Sequence, residues 1–158
     1  MIVAWRIGTE TPDYTADDLS GTGAKITGGR WNRAGVAVIY AATSRALTCL
    51  ETIVHLGAGR LPLNRYLVRI DIPDNIWAKR QQLTNNTAPI GWDAIPTGKV
   101  SLDVGDHWVK GGASCIMEVP SIIVPEEGNL LINPSHPDAS GITATKIRRW
   151  DYDHRLIP

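Results

Sequence analysis

The sequence predicts a single α+β domain, residues 1–158, with more strand than helix, and three observations carry that expectation. Short apolar runs of strand length recur along the chain, one stretch keeps a clear helical spacing, and proline or glycine punctuates most of the joins between them. With 158 residues, 43% of them apolar, the chain is long enough to bury one real core.

The elements follow in order. Ile2 to Ile7 reads as a strand, and the polar stretch from Gly8 to Lys25, with Pro12, Gly21 and Gly23, reads as a surface loop able to fold over a pocket. Gly28 and Gly29 relax the backbone before Arg30. Val36 to Ala42 is a continuous apolar run, the pattern of a buried strand. Thr43 or Ser44 caps a helix running to about Leu56 and stopped by Gly57, with Ala46, Leu47, Leu50, Ile53 and Val54 as its buried face. At about 100° per residue, Glu51 and His55 fall at the rim of that face.

Tyr66 to Ile72 alternates, with Tyr66, Val68, Ile70 and Ile72 on one side and Arg69 and Asp71 on the other, so a half-buried strand ending at Pro73 is expected. Residues 74–100 are loop-rich, with room for a short helix from Trp77 to Leu83. Ser101 to Lys110 forms a helix weakened by Gly105. Ala113 to Val119, Ser121 to Val124 and Asn129 to Ile132 read as strands, and Gly141 to Arg149 as a last strand near a sheet edge.

Charge and cysteine content narrow the function classes. Sixteen basic residues balance sixteen acidic ones, so no global field draws the protein to nucleic acid or an anionic membrane. Two cysteines, Cys49 and Cys115, make no disulfide framework, and a reducing cytoplasmic setting is the simplest expectation. Met1 to Arg6 carries no signal-peptide pattern, so the chain is expected to begin inside its fold, soluble and off the membrane. His55, His107, His136 and His154 lack metal-ligand spacing, and no metal is expected.

Arg30, Tyr40 and Glu51 carry the sharpest chemistry. An arginine fork suits a diphosphate, a tyrosine can stack on a planar ring, and a carboxylate can stabilise positive charge growing on a sugar. The residue types alone leave a second account open, in which Arg30 and Glu51 form a structural ion pair and Tyr40 is ordinary core. Arg6 can equally lie on a solvent face. Ser121, among apolar residues, needs a hydrogen-bond partner, which nearby backbone can provide, and no Gly-x-Ser-x-Gly elbow surrounds it. Lys146, Arg148, Arg149 and Arg155, with Trp150 and Tyr152, can form either a basic aromatic patch for RNA or a solvated face; strand alternation sets Lys146 and Arg148 against Arg149.

The chain resembles the RES domain, the toxin half of bacterial toxin–antitoxin pairs, named for an arginine, a glutamate and a serine. The likeness rests on Trp5-Arg6-Ile7, Gly29-Arg30-Trp31-Asn32 with Gly35, Ile39-Tyr40-Ala41-Ala42, Glu51 in its helix, Gly105-Asp106-His107-Trp108, Val119-Pro120-Ser121, Asn129, and Asn133-Pro134 with His136. It implies a split antiparallel sheet core related to ADP-ribosyltransferase toxins, with NAD as substrate in the cleft. By position, Arg6 and Arg30 would hold the diphosphate or ribose, Tyr40 would stack near nicotinamide, Glu51 would act at the reacting ribose, and Ser121 would line or brace the site. Trp31 and Asn133, within the matching segments, are taken as substrate-binding with them. The implied activity is depletion of cellular NAD by cleavage of the nicotinamide–ribose bond. Hydrolysis is expected, because no basic pocket for free phosphate is evident beyond Arg6 and Arg30. Phosphorolysis, mono-ADP-ribosylation of a metabolic enzyme, and a non-catalytic RNA-binding module are the alternatives. The implied partner is an Xre-type antitoxin seated at the cleft, which would make any DNA contact itself.

Overall fold

The computed structural model describes residues 1–56 and 61–156. In chain order they form β1 (Ile2–Thr9), α1 (Thr22–Thr27), β2 (Ile39–Ala42), α2 (Arg45–Ile53), β3 (Arg65–Ile72), α3 (Asp74–Ala78), β4 (Gln81–Gln82), α4 (Lys99–Gly111), β5 (Ile116–Pro120), β6 (Gly128–Ile132) and β7 (Thr143–Arg149). Single 3-10 turns follow β6 at Pro137–Gly141 and close the described chain at His154–Leu156. None of these helices is long and apolar enough to cross a membrane.

The strands make one mixed sheet in the order β4-β5-β6-β2-β1-β3-β7, so the α+β expectation holds. Every pairing is antiparallel except β4 with β5. The sheet has a seam. β1 pairs with β3 from Ile2↔Ile72 to Thr9↔Arg65, and β2 pairs with β6 along its whole length, yet β1 and β2 meet only at Trp5↔Ala42. Two leaves, antiparallel apart from the short β4, therefore part on either side of one residue pair, which is the split core the RES resemblance implied.

Both faces of the sheet's central strands are covered, which explains their continuous apolar runs, while β4 and β7 at the edges are exposed. Successive residues enter different cores: Ile39, Leu130 and Ile132 pack with Ala4, Val68, Ile70 and Ile72, whereas Val38 and Leu131 pack with Trp31, Trp92, Trp108 and Met117. The predicted alternation of β3 is borne out, with Val68, Ile70 and Ile72 buried and Arg69 bonded to Asp71 at 2.9 Å on the other face.

Several expectations are corrected. Regular pairing of the Val36–Ala42 run begins only at Ile39, and the run from Ala113 enters its strand at Ile116. Ser121 to Val124 is a turn, because the Ser121 hydroxyl accepts hydrogen bonds from the Ile123 and Val124 amides and outcompetes the ladder that three β-favouring residues would otherwise join. The helix placed at Trp77–Leu83 starts instead at Asp74, where the Pro73 carbonyl accepts from the Ile76 and Trp77 amides. The expected Gly8–Lys25 loop gives way to α1 at Thr22, and Gly28 with φ 71° caps that helix after Thr27. α2 ends at Ile53, short of Leu56, and the expected stop at Gly57 lies outside the described residues. Its buried side is Leu47 and Thr48, while Ala46, Leu50 and Val54 face outward. A β-bulge between Leu67 and Val68 shifts the pairing of β7, so Lys146 falls on the face of Val68 with Arg149, and Arg148 on the other. Lys146 is paired with Glu10 and Arg149 with Asp151, which breaks up the basic patch.

Candidate functional site

The seam brings the chemistry together. α2 follows β2 and packs on both β1 and β2, so Glu51 stands over the junction of the leaves. The Ser44 hydroxyl caps its first turn by accepting from the Leu47 amide at 3.0 Å, fixing where the helix starts and hence the bearing of Glu51. Glu51 Oε1 accepts two hydrogen bonds, from Ser121 Oγ at 2.6 Å and from Asn129 Nδ2 at 2.7 Å. Ser121 is fully buried and sits in the turn between β5 and β6. Its hydroxyl accepts from local backbone, as the sequence led us to expect, and also donates a hydrogen bond to Glu51.

Arg6 lies on β1 where that strand separates from β2. Its Nη1 donates across the gap to the Tyr40 carbonyl at 3.0 Å, and its Nε is buried with no partner among the described residues. Burial lowers the guanidinium pKa, with Tyr14 and Asp18 opposing it. The solvent-face account of Arg6 therefore falls.

Tyr40 is half-buried. Its hydroxyl donates to Asn32 Oδ1 at 2.6 Å and accepts from the Trp31 amide at 3.0 Å. Burial drives its pKa upward, so it acts as a neutral phenol that pins the Gly29–Asn32 bend. Gly29 is required there, since a Cβ would come within 2.7 Å of the Tyr40 hydroxyl. Asn32 Nδ2 in turn reaches the carbonyls of Ala24 and Val36 at 2.9 Å.

That bend presents Arg30. Its Nη1 donates to the carbonyls of Trp92 and Ala94 at 3.0 and 2.9 Å, which leaves the rest of the fork unused among the described residues. Burial lowers its pKa, and the nearby carboxylates of Glu51 and Asp93 oppose that shift. Arg30 and Glu51 are thus electrostatic neighbours, and the ion pair considered from the sequence does not form: each binds other groups.

Trp31 and Asn133 lie in the frame rather than at an open surface. Trp31 is stacked on Trp92 with ring centres 6.0 Å apart and only 3% of its surface exposed. Asn133 is buried, donating from Nδ2 to the Val109 carbonyl at 3.1 Å and accepting from the Ser135 amide at 3.0 Å, so it ties α4 to the end of β6. In this structure the apolar stack and the buried amide brace the elements around the site. Asn129 and Asn32 counted toward the RES likeness in the sequence but were assigned no role at the site. The available signal was a polar amide inside an otherwise apolar stretch, at Asn129 before Leu130-Leu131-Ile132.

A groove of ≈ 440 Å³ runs between α4 and β4–β5 along Leu83, Val104, His107 and Met117 and touches none of these groups. A shallower one of ≈ 300 Å³ borders Gly29, Asn32 and Arg33. Converging polar atoms, not groove size, mark the site. It can hold an anion beside Arg30 and stabilise a developing cation beside Glu51.

The family model of the RES domain matches residues 3–154. The chain is similar to the Prs ADP-ribosylating toxin of Sphingobium sp. (strain YBL2), with 60% identity over 153 residues, covering 97% of this chain and 95% of that one. It is also similar to Toxin Res of Photorhabdus laumondii subsp. laumondii, 37% identical and covering 91% of each chain. Toxin Res of Pseudomonas putida is 35% identical over 99% of this chain and all of that one.

Proposed function

This chain belongs to the RES domain family, and from that premise we propose that it is a toxin that cleaves the nicotinamide–ribose bond of NAD and passes the ADP-ribose to a protein acceptor. The observation that carries the proposal is the Glu51 carboxylate, held through Oε1 by Ser121 and Asn129 beside Arg30.

The chemistry follows from those groups. When the C–N bond breaks, its electron pair leaves with nicotinamide, which departs neutral and needs no acid. Positive charge is left on the ribose. A fixed carboxylate stabilises that charge more than it stabilises intact NAD, and such preorganised electrostatics act on the barrier itself. Arg30 and Arg6 supply cationic donors for the diphosphate. Tyr40, its hydroxyl already engaged, offers a ring to the nicotinamide. The incoming nucleophile then bonds to the ribose carbon and releases its proton.

The choice of acceptor follows the 60% identical relative, whose name makes Prs the first acceptor to assay. Hydrolysis is the second reading, favoured by the partial exposure of Glu51, which lets water reach the same ribose face. Residues 1–158 would constitute one RES domain acting in the cytoplasm, held in check by an Xre-type antitoxin over the cleft. DNA contact would belong to that partner.

The test is nicotinamide release by purified protein, with adenylate-labelled NAD followed into protein or free ADP-ribose. Glu51→Gln keeps the shape of the side chain and removes its charge. It should slow release on the order of 10²-fold, the loss typical of a group acting on transition-state charge. Label on protein supports transfer, and label only in free ADP-ribose moves the assignment to hydrolysis. No release by folded wild-type protein, with or without acceptor, would overturn both.

A further inference from the structure

We propose that Asn129 is a positioning residue for Glu51, retained at a cost to the fold. The inference deepens the NAD reading and rests on it for its kinetic arm alone.

Asn129 occupies a strand position where the fold asks for an apolar side chain. On β6 it pairs with Ala42 of β2 and Val119 of β5, and shares its face with Leu131, two residues along. A leucine or valine there would extend the core. The amide instead donates from Nδ2 to Glu51 Oε1 at 2.7 Å, while its own Oδ1 is buried with no partner among the described residues. The orientation of the amide is fixed by chemistry: an ionised carboxylate only accepts, so the nitrogen must face Glu51 and the oxygen must turn away. A buried acceptor left unmade is a destabilising feature, and nothing in the strand pattern requires it. Such a local violation of the folding rule is expected where a residue serves the site.

The geometry states what it serves. Ser121 and Asn129 both bind Oε1, and Oε2 accepts no hydrogen bond among the described residues. Two donors from different segments, 70 and 78 residues away in sequence, fix the carboxylate in one rotamer and keep one oxygen available for the reacting sugar. Ser121 alone fixes a point, whereas the second donor fixes the plane.

The experiment uses the full chain with Asn129→Leu and Asn129→Asp. Asn129→Leu removes both the donor and the orphaned oxygen; Asn129→Asp keeps the size and removes the donor. Three quantities are read: kcat and KM for nicotinamide release, the thermal midpoint, and the ¹³Cδ resonance of Glu51 at fixed pH, assigned by its loss in Glu51→Gln. The expected result is a 10- to 100-fold fall in kcat with KM within about two-fold, an unchanged or higher midpoint for Asn129→Leu, and a displaced Glu51 resonance in both variants. An unmoved resonance in the folded variants overturns the inference, as does a rate loss that only tracks a falling midpoint. If wild-type protein releases no nicotinamide, a displaced resonance still upholds the positioning role while the NAD reading fails.

Discussion

Replacing Gly105 by alanine sets two effects against each other. In an exposed helix interior the substitution would stabilise by about 1 kcal/mol, since alanine is the better helix former. Gly105 is buried in the middle of α4, however, and a Cβ built there lies 1.6 Å from the Trp31 carbonyl oxygen and 2.6 Å from its carbon. Reaching even 3.0 Å, a separation that real Cβ contacts essentially never fall below, requires an opening of 3.0 − 1.6 = 1.4 Å. No rotamer relieves it, because the opposing atoms are backbone. α4 also cannot slide aside freely, for Asp106 accepts from the Arg33 amide at 3.1 Å and from Arg33 Nη1 at 2.8 Å. A radial gap of about 0.5–1 Å already forfeits a quarter to a half of each dispersion contact, and the contacts here are those of Trp108 with the Trp31–Trp92 stack. Overpacking costs of about 1–3 kcal/mol or more follow for backbone that resists. The overlap wins, and a net destabilisation of about 3 kcal/mol is expected. In urea, with a slope of about 2 kcal/mol per molar, the midpoint should fall by about 1.5 M, read by tryptophan fluorescence. Nicotinamide release should fall as well, because any retreat of Trp31 carries Arg30 with it and pulls the Trp31 amide from Tyr40. A midpoint equal to or above wild type would refute the reasoning.

Two further predictions use the buried hydroxyl and the buried thiol. Ser121→Ala removes the donor to Glu51 and strands the Ile123 and Val124 amides, so a loss of about 2–3 kcal/mol and at least about a ten-fold fall in nicotinamide release are expected; stability within about 0.5 kcal/mol of wild type by urea titration would contradict it. The Cys115 thiol is 2% exposed, and burial pushes its pKa up from 9.0 to about 11. Its ionised form is therefore disfavoured in the folded state: the stabilisation is whole below about pH 9, where folded and unfolded chains both keep the proton, and is lost as pH rises through about 11. Cys115→Val should lose less stability than wild type across that interval, by up to about 2–3 kcal/mol, and parallel curves from urea melts at a series of pH values would count against the assignment.

The parts of the fold that were legible in the sequence are those decided by local pattern. β3 alternates and is half-buried as read, and Ile39–Ala42 and Leu130–Ile132 are continuous apolar runs because both their faces are covered. The misreadings each have a tertiary or side-chain cause. Ile122, Ile123 and Val124 favour strand, but the Ser121 hydroxyl captures two of their amides and turns the chain. Ala46, Leu50 and Val54 keep helical spacing, yet the sheet meets α2 on Leu47, Thr48 and the Glu51 side. Arg30, Tyr40, Glu51 and Ser121 stood out by residue type and were given roles through the RES resemblance, whose short motifs fix residue identity without geometry. That Ser121 and Asn129 share one oxygen of Glu51 could not be read, because it depends on the register of β6 against β2 and on the turn that precedes it.

The distances along the chain within the Glu51 cluster bear on how the protein is made. Glu51 meets its two donors 70 and 78 residues later in the sequence, across the turn from β5 to β6. A ribosome that has released the first hundred residues has produced the carboxylate but neither of the groups that hold it, and the leaf carrying β5 and β6 does not yet exist. Contacts of such separation close late in folding. A chain that stops short of Ser121 and Asn129 therefore carries Glu51 without either of the groups that hold it.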